Sequence, residues 1–167
     1  MNFTIRAWNI NDLDNLVKHA NNQNISKFMT DAFPYPYTKE HGEKFIEMAV
    51  SHHPTRLFAI IVDNEAVGGI GIHPQTDIMR KNAELGYWLS EEHWGKGIIT
   101  NAIKEMVTYA FENFEITRIY ARPFGNNIAS QKVLQKAGLQ LEARLKNTIY
   151  KNNEYLDELI FSIRKSD

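Results

Sequence analysis

Gly95 and Gly97 stand one residue apart, directly ahead of a long segment of periodic apolar residues, in the run Glu92-His93-Trp94-Gly95-Lys96-Gly97-Ile98-Ile99-Thr100. That spacing suits an anion. Without side chains the glycines let a ligand approach the backbone, and the first-turn N–H groups of the following helix, with the positive end of its dipole, favour a phosphate. A coenzyme diphosphate fits this geometry. Two better-known phosphate loops do not fit. A P-loop ends Gly-Lys-Ser/Thr, and here Gly95-Lys96 is followed by Gly97. A dinucleotide fingerprint needs a third glycine three residues after the second, and position 100 is Thr100. Nucleotide hydrolysis and nicotinamide chemistry are therefore both disfavoured.

The turn needs a helix behind it and a strand before it, and the sequence supplies both. Ile98, Ile99, Ala102, Ile103, Met106, Val107, Ala110, Phe111 and Phe114 recur at three-to-four-residue spacing, which marks an amphipathic helix with one buried face. The preceding Ala83-Glu84-Leu85-Gly86-Tyr87-Trp88-Leu89-Ser90 reads as a strand, and Thr117–Arg122 as a second strand beside it. The two are expected to run parallel, joined through the helix by a right-handed crossover.

Earlier in the chain, residues 3–7 predict a strand and residues 12–20 a short helix capped by Asn11 or Asp12. Residues 21–33 read as irregular. Pro34-Tyr35-Pro36-Tyr37 is a stiff loop ending at Thr38, a helix-start residue with Glu40 and Glu43 behind it. Residues 56–62 and 66–72 flank Asp63-Asn64-Glu65 as a hairpin, and Gly68, Gly69 and Gly71 in its second arm suggest close packing or a bulge. A polar loop is expected at 74–82. Towards the end, a helix from Asn127 to Ala137 is stopped by Gly138, and strands at 139–145 and 155–163 enclose a turn at Lys151-Asn152-Asn153-Glu154. The whole reads as α/β with a mixed, strongly twisted sheet.

Composition narrows the function. The 167 residues suit one domain, since single cores commonly hold roughly 100–200 residues. Nineteen basic against twenty acidic residues leave a net charge of −1, so no broad nucleic-acid surface is expected. With no cysteine, disulfides, thiolate nucleophiles and cysteine metal sites are excluded, and six scattered histidines lack metal-ligand spacing, so no metal is expected. The start MNFTIRAW has no apolar leader run, and no membrane-length stretch follows. A cytoplasmic protein without membrane partners is the expectation.

Four blocks, ELGYWLSEEHWGKGIIT at 84–100, YAFENFEITRIYARPFGNNIASQKVLQKAGLQLEARL at 109–145, PYPYTKEHGEKFIEMA at 34–49 and DELIFSI at 157–163, resemble the GNAT N-acetyltransferases. The resemblance is to the RimJ/RimL-type branch of ribosomal-protein N-terminal acetyltransferases and spans nearly the whole chain. It implies a single N-acetyltransferase domain over residues 1–167, with helices flanking the sheet and two central strands splayed around the coenzyme. It implies acetyl-coenzyme A as cosubstrate, its pyrophosphate on the backbone amides of Gly95, Lys96, Gly97, Ile98, Ile99 and Thr100. The pantetheine arm would lie like an extra strand against backbone groups of Leu89 and Ser90, left open by a bulge near Gly86. Glu92 occupies a position where the wider superfamily has Gln or Arg, so no phosphate contact is assigned to its side chain. Lys96 either neutralises phosphate or is an ordinary exposed lysine.

Transfer of an acetyl group to a primary amine needs a base for the ammonium, a hold on the carbonyl oxygen and a proton for the departing thiolate. By the resemblance Glu84 is the base. Alternatively it pairs with an arginine or lysine across the sheet. Many relatives carry a Tyr acid where this chain has Leu134; the branch instead carries Asn-x-x-Ser, matched by Asn127-Ile128-Ala129-Ser130. Ser130 is then the residue beside the coenzyme sulfur and Asn127 a pantetheine or phosphate ligand, unless both merely cap the helix. Arg118 and Arg122 either meet nucleotide phosphates or are surface charges, and Tyr35 and Tyr37 either line the acceptor entrance or pack their loop. The acceptor is a protein N-terminal α-amine or a small-molecule amine, and the protein a monomer or homodimer. Polyamine or antibiotic acetylation, and coenzyme binding without catalysis, are the alternatives.

Overall fold

The helical periodicity and the short apolar runs fold as their spacing predicts in the computed structural model, which describes residues 2–166. The helices are α1 Leu13–Ala20, α2 Gln23–Ser26, α3 Lys39–Val50, α4 Ile98–Asn113 and α5 Ile128–Lys136. The strands are β1 Thr4–Ala7, β2 Leu57–Val62, β3 Glu65–Pro74, β4 Asn82–Leu89, β5 Arg118–Ala121, β6 Gln140–Lys151 and β7 Glu154–Arg164. They form a seven-stranded mixed sheet in the order β1-β2-β3-β4-β5-β7-β6. β4 and β5 are parallel neighbours, joined through α4 as expected. β1·β2, β2·β3, β5·β7 and β6·β7 are antiparallel.

The chain forms two compact units, one containing the residues up to Gly71 with Tyr87–Ala102, the other Ile72–Gly86 with the residues from Ile103 onward. In the first, Trp8, Leu16, Ala20, Ile25, Ile46 and Trp88 are buried together, so α1, α2 and α3 turn their apolar faces to one core. Tyr37 belongs to this core, 5.4 Å from the Phe33 ring, and burial pushes its phenol up to about 12. Its loop is therefore packed; Tyr35 stays exposed. Gly68 lies so close to β4 that an added Cβ would stand 2.6 Å from the Trp88 carbonyl oxygen, which is the close packing the hairpin glycines suggest.

Local departures have local causes. Asn9 caps a three-residue 3-10 turn, Ile10–Asp12, that leads into α1, its side chain accepting from the Asn11 N–H; Asp12 occupies the N-cap position of α1 itself. The Asp12 carboxylate makes no cap bond to α1; it accepts from the Asn9 N–H at 3.0 Å and from Arg6 at 2.7 and 2.8 Å. Residues 23–26, read as irregular, make one helical turn capped by Asn22, too short to show periodicity. Thr38 does cap α3, with His41 as its reciprocal partner. The 63–64 hairpin turn takes left-handed φ values of 49° and 68° at Asp63 and Asn64, which those residue types tolerate.

In the second unit Ile103, Met106, Ile119, Leu134, Leu139 and Phe161 are buried. The closing hairpin is longer than expected, β6 reaching Lys151 past register shifts at Leu141/Ala143 and Leu145/Ile149.

Candidate active site

In the first unit, β4 ends at Leu89 and a 3-10 turn, Glu91–His93, carries the chain to Trp94 and the glycine turn. Gly95 and Gly97 have φ of +72° and +77°, a region that costs other residues strain. An added Cβ at either would meet no atom within 4 Å, so both glycines border open space. Ile98 is buried and anchors the start of α4. The first ladder bond runs from the Asn101 N–H to the Gly97 carbonyl at 3.2 Å, so the amides of Ile98, Ile99 and Thr100 precede the helical ladder. A left-handed, uncrowded turn opening a sixteen-residue helix fits a coenzyme diphosphate. Lys96 lies exposed on that turn.

Leu89 and Ser90 are less open than the pantetheine reading expects. The Trp94 indole N–H donates to the Leu89 carbonyl at 2.8 Å. The Ser90 N–H donates to the Val67 carbonyl at 2.8 Å, and the Ser90 carbonyl accepts from His93 N–H at 3.0 Å. A coenzyme amide can therefore use these carbonyls only through their second lone pairs. Glu92 meets Ser90 Oγ at 3.4 Å and His19 Nδ1 at 3.5 Å, so its side chain is engaged within the protein.

The second unit holds the acid–base candidates. β4 pairs with β5 from Asn82↔Arg118 to Glu84↔Tyr120, and there the ladder stops although β4 runs on to Leu89. Burial alternates along β4 up to Gly86 and loses its phase at Tyr87, so Glu84 and Gly86 are half-buried whereas Trp88 and Ser90 are buried. Glu84 thus sits at the last rung of the β4–β5 ladder. Its Oε1 accepts from Arg122 Nε at 3.1 Å, and Arg122 Nη1 lies 3.5 Å from Glu158 Oε1 on β7. Burial works to lower the Arg122 value, but the Glu84 charge and hydrogen bond and the Glu158 charge outweigh it and raise it. The Tyr120 phenol is raised, first by burial and then by the negative charge of Glu84.

Arg118 donates to Glu142 at 2.8 and 3.1 Å and to Asn82 Oδ1 at 2.9 Å, and its guanidinium lies 4.8 Å from the Tyr120 ring centre. Both arginines are thus engaged in ion pairs within the protein. Arg122 makes Glu84 a paired carboxylate, the alternative considered for it.

The segment after β5 is tied to β7. Leu159 N–H donates to the Pro123 carbonyl at 3.0 Å and Gly125 N–H to the Asp157 carbonyl at 2.7 Å. A Cβ on Gly125 would come within 2.8 Å of the Asp157 Cβ, so only glycine allows this approach. The tie delivers Asn127, whose Oδ1 accepts from the Ser130 N–H at 3.2 Å and caps α5. Ser130 is half-buried. Leu134 is wholly buried and serves the core. Sequence reasoning passed over Tyr120, Glu158 and His19. Tyr120 follows from the parallel register opposite Glu84, whereas Glu158 and His19 reach their partners through long-range pairing that has no local signal.

A profile described as an acetyltransferase (GNAT) domain matches residues 2–140. The chain is 37% identical over 101 residues to the uncharacterized N-acetyltransferase YoaA of Bacillus subtilis (strain 168), covering 60% of this chain and 56% of that protein. It is 30% identical over 107 residues to the ribosomal-protein-serine acetyltransferase of Escherichia coli (strain K12), covering 64% and 59%. The chain thus spans less than two thirds of the length of either relative. Among solved structures, RimL, a ribosomal L7/L12 α-N-protein acetyltransferase in complex with coenzyme A, superimposes with a TM-score of 0.84 at 23% identity, over 97% of this chain and 93% of that one. That likeness is one of fold. The profile match, which takes in the glycine turn, β4 and α5, carries further: the chain belongs to the GNAT acetyltransferases, whose cosubstrate is acetyl-coenzyme A.

Proposed function

We propose that this protein transfers the acetyl group of acetyl-coenzyme A to a primary amine, with the α-amine of a protein N-terminus as the favoured acceptor. The observation that carries the reading is the left-handed Gly95–Gly97 turn, open on its outer side and leading into α4. Likeness to the ribosomal-protein-serine acetyltransferase of Escherichia coli supports the acceptor class. A cytoplasmic setting is part of the proposal and agrees with a chain that has no cysteine. Among the described residues no helix is long and apolar enough to cross a membrane.

When bound, acetyl-coenzyme A supplies the acetyl group as a reactive thioester. The amides from Gly95 to Thr100 hold its diphosphate. Leu89 and Ser90 share their carbonyls with the pantetheine amides, and Asn127 keeps α5 and Ser130 in place. Glu84 takes the proton from the acceptor ammonium, which frees the nitrogen lone pair to attack the thioester carbon. Its Oε2 is clear of the Arg122 hydrogen bond, which Oε1 accepts. As the carbon–sulfur bond breaks, its electron pair goes to sulfur, and the Ser130 hydroxyl passes a proton there and regains one from the acetylated ammonium by way of solvent.

Release of coenzyme A thiol, followed with acetyl-coenzyme A across N-terminal peptides, polyamines and aminoglycosides, tests the reading. Peptides beginning with Ser or Ala are expected to turn over fastest. Preferred turnover of polyamines or aminoglycosides would replace the acceptor, and coenzyme binding with no turnover on any amine would leave a binding module.

A further inference from the structure

Two buried polar side chains of the first unit bond to one another. His19, in the last turn of α1, places Nδ1 3.0 Å from the Ser90 hydroxyl, while its Nε2 lies 3.0 Å from Glu65 Oε2 on β3. Lys18 Nζ reaches the same Glu65 oxygen at 3.1 Å. The Glu92 carboxylate stands 3.5 Å from His19 Nδ1 and 3.4 Å from Ser90 Oγ. Between Ser90 and Glu92, Glu91 is held as well: Asn22 Nδ2 donates to it at 2.8 Å and Asn24 Nδ2 to both its oxygens at 3.1 Å. Side chains from residues 19–24 thus grip three consecutive residues, 90–92. Those residues found the 3-10 turn, in which His93 and Trp94 N–H groups bond back to the Ser90 and Glu91 carbonyls at 3.0 and 3.1 Å. Gly95 follows directly.

Burying an imidazole and a hydroxyl is costly unless both are bonded, and Leu16, Ala20, Ile25 and Trp88 already give this core its apolar contacts. Directional bonds add what apolar packing lacks, one defined placement of the backbone. We propose that His19 is a positioning residue for the coenzyme turn: through Ser90 and Glu92 it sets the stance of residues 90–92, and with them the Gly95–Thr100 amides, before coenzyme arrives. The Asn22 and Asn24 grip on Glu91 is the second fixed point. Preorganisation of this kind raises affinity by removing the ordering cost of binding. It also accounts for Glu92, whose carboxylate completes the His19–Ser90 group and takes no part with phosphate. The proposal rests on the coenzyme reading of the turn.

Two isosteric substitutions separate positioning from packing. An Asn amide reproduces the Nδ1 side of imidazole and a Gln amide the Nε2 side, so His19→Asn keeps the Ser90–Glu92 bonds and His19→Gln keeps only Glu65. Calorimetric titration with coenzyme A is expected to give His19→Asn near-wild-type affinity and His19→Gln and His19→Ala about three- to tenfold weaker binding, the worth of one net hydrogen bond. The turnover number at saturating acetyl-coenzyme A stays within about twofold in all three, since a positioning loss falls on binding. Without coenzyme, amide exchange at His93 and Trp94 speeds up in the Gln and Ala variants. Glu91→Ala, at an exposed position, weakens binding in the same direction and serves should a buried variant fail to fold. Equal affinities for the Asn and Gln variants, or a turnover loss at unchanged affinity, would overturn the proposal. A wild-type protein that does not bind coenzyme A would overturn the underlying coenzyme reading instead, while the exchange rates would still report on the grip itself.

Discussion

Glu84 carries two relationships at once, an ion pair with Arg122 and a place at the last rung of the β4–β5 ladder. A general base must have an oxygen free to accept a proton, and the Arg122 hydrogen bond is recorded on Oε1. Glu84→Gln is expected to keep coenzyme affinity and slow transfer, with the deficit shrinking as pH rises and the acceptor amine deprotonates unaided. A ratio to wild type that is flat from neutral to alkaline pH would leave Glu84 with the ion pair alone. Ser130 divides from Asn127 in the same way. The side-chain acceptor that caps α5 is Asn127, which takes the Ser130 N–H. Asn127→Ala is expected to cost about 1 kcal/mol of stability. Ser130→Ala should lower the single-turnover rate of the folded fraction roughly ten- to a thousandfold, a loss that a shift in melting temperature alone would not give. Measuring both quantities on each variant checks the division.

Elements were legible in the sequence where their signal was local. The 3.6-residue period of α4, the Thr38 cap of α3, the Asp63-Asn64 turn and the Gly138 stop, at φ +99°, all follow from residues within a few positions of each other. The Asn9 cap of the 3-10 turn before α1 did not, because three residues are too few to show a period. Nor did the partners of Glu84 and Ser90, which depend on registers set between distant strands and helices. One such register brings Arg118, Glu142 and Ser162 together from β5, β6 and β7, with the Ser162 hydroxyl donating to Glu142. The Arg118 hydrogen bond and then that of Ser162 hold the Glu142 carboxyl down at about 2, below its ordinary 4.5. A carboxyl lowered on folding stabilises above its ordinary value and loses that contribution as pH falls through the folded one. Glu142→Gln should therefore be less stable than wild type at neutral pH, and the gap should close between about pH 4.5 and about pH 2. Urea unfolding of both proteins across that window measures it.

Coenzyme binding should register in the stability of the protein. At a hundred times its dissociation constant a ligand specific for the folded state adds about 2.7 kcal/mol, which for a chain of this length is a melting shift of roughly 5–10 °C. Gly97→Val is expected to abolish the shift, because a branched side chain fills the open side of the turn and φ +77° suits it poorly. An undiminished shift in that variant, read by scanning calorimetry, would move the coenzyme elsewhere. The far end of the sheet bears on a different property. β6 is an outermost strand twelve residues long, and a flat strand of that length offers its unpaired backbone groups to any other chain. Its two register shifts break the regular spacing of those groups, and Glu142, Arg144, Lys146 and Lys151 bring charge to the strand. β1, at the opposite end, is only four residues long. Both margins of the sheet thus carry features that oppose its growth by addition of a strand from another chain.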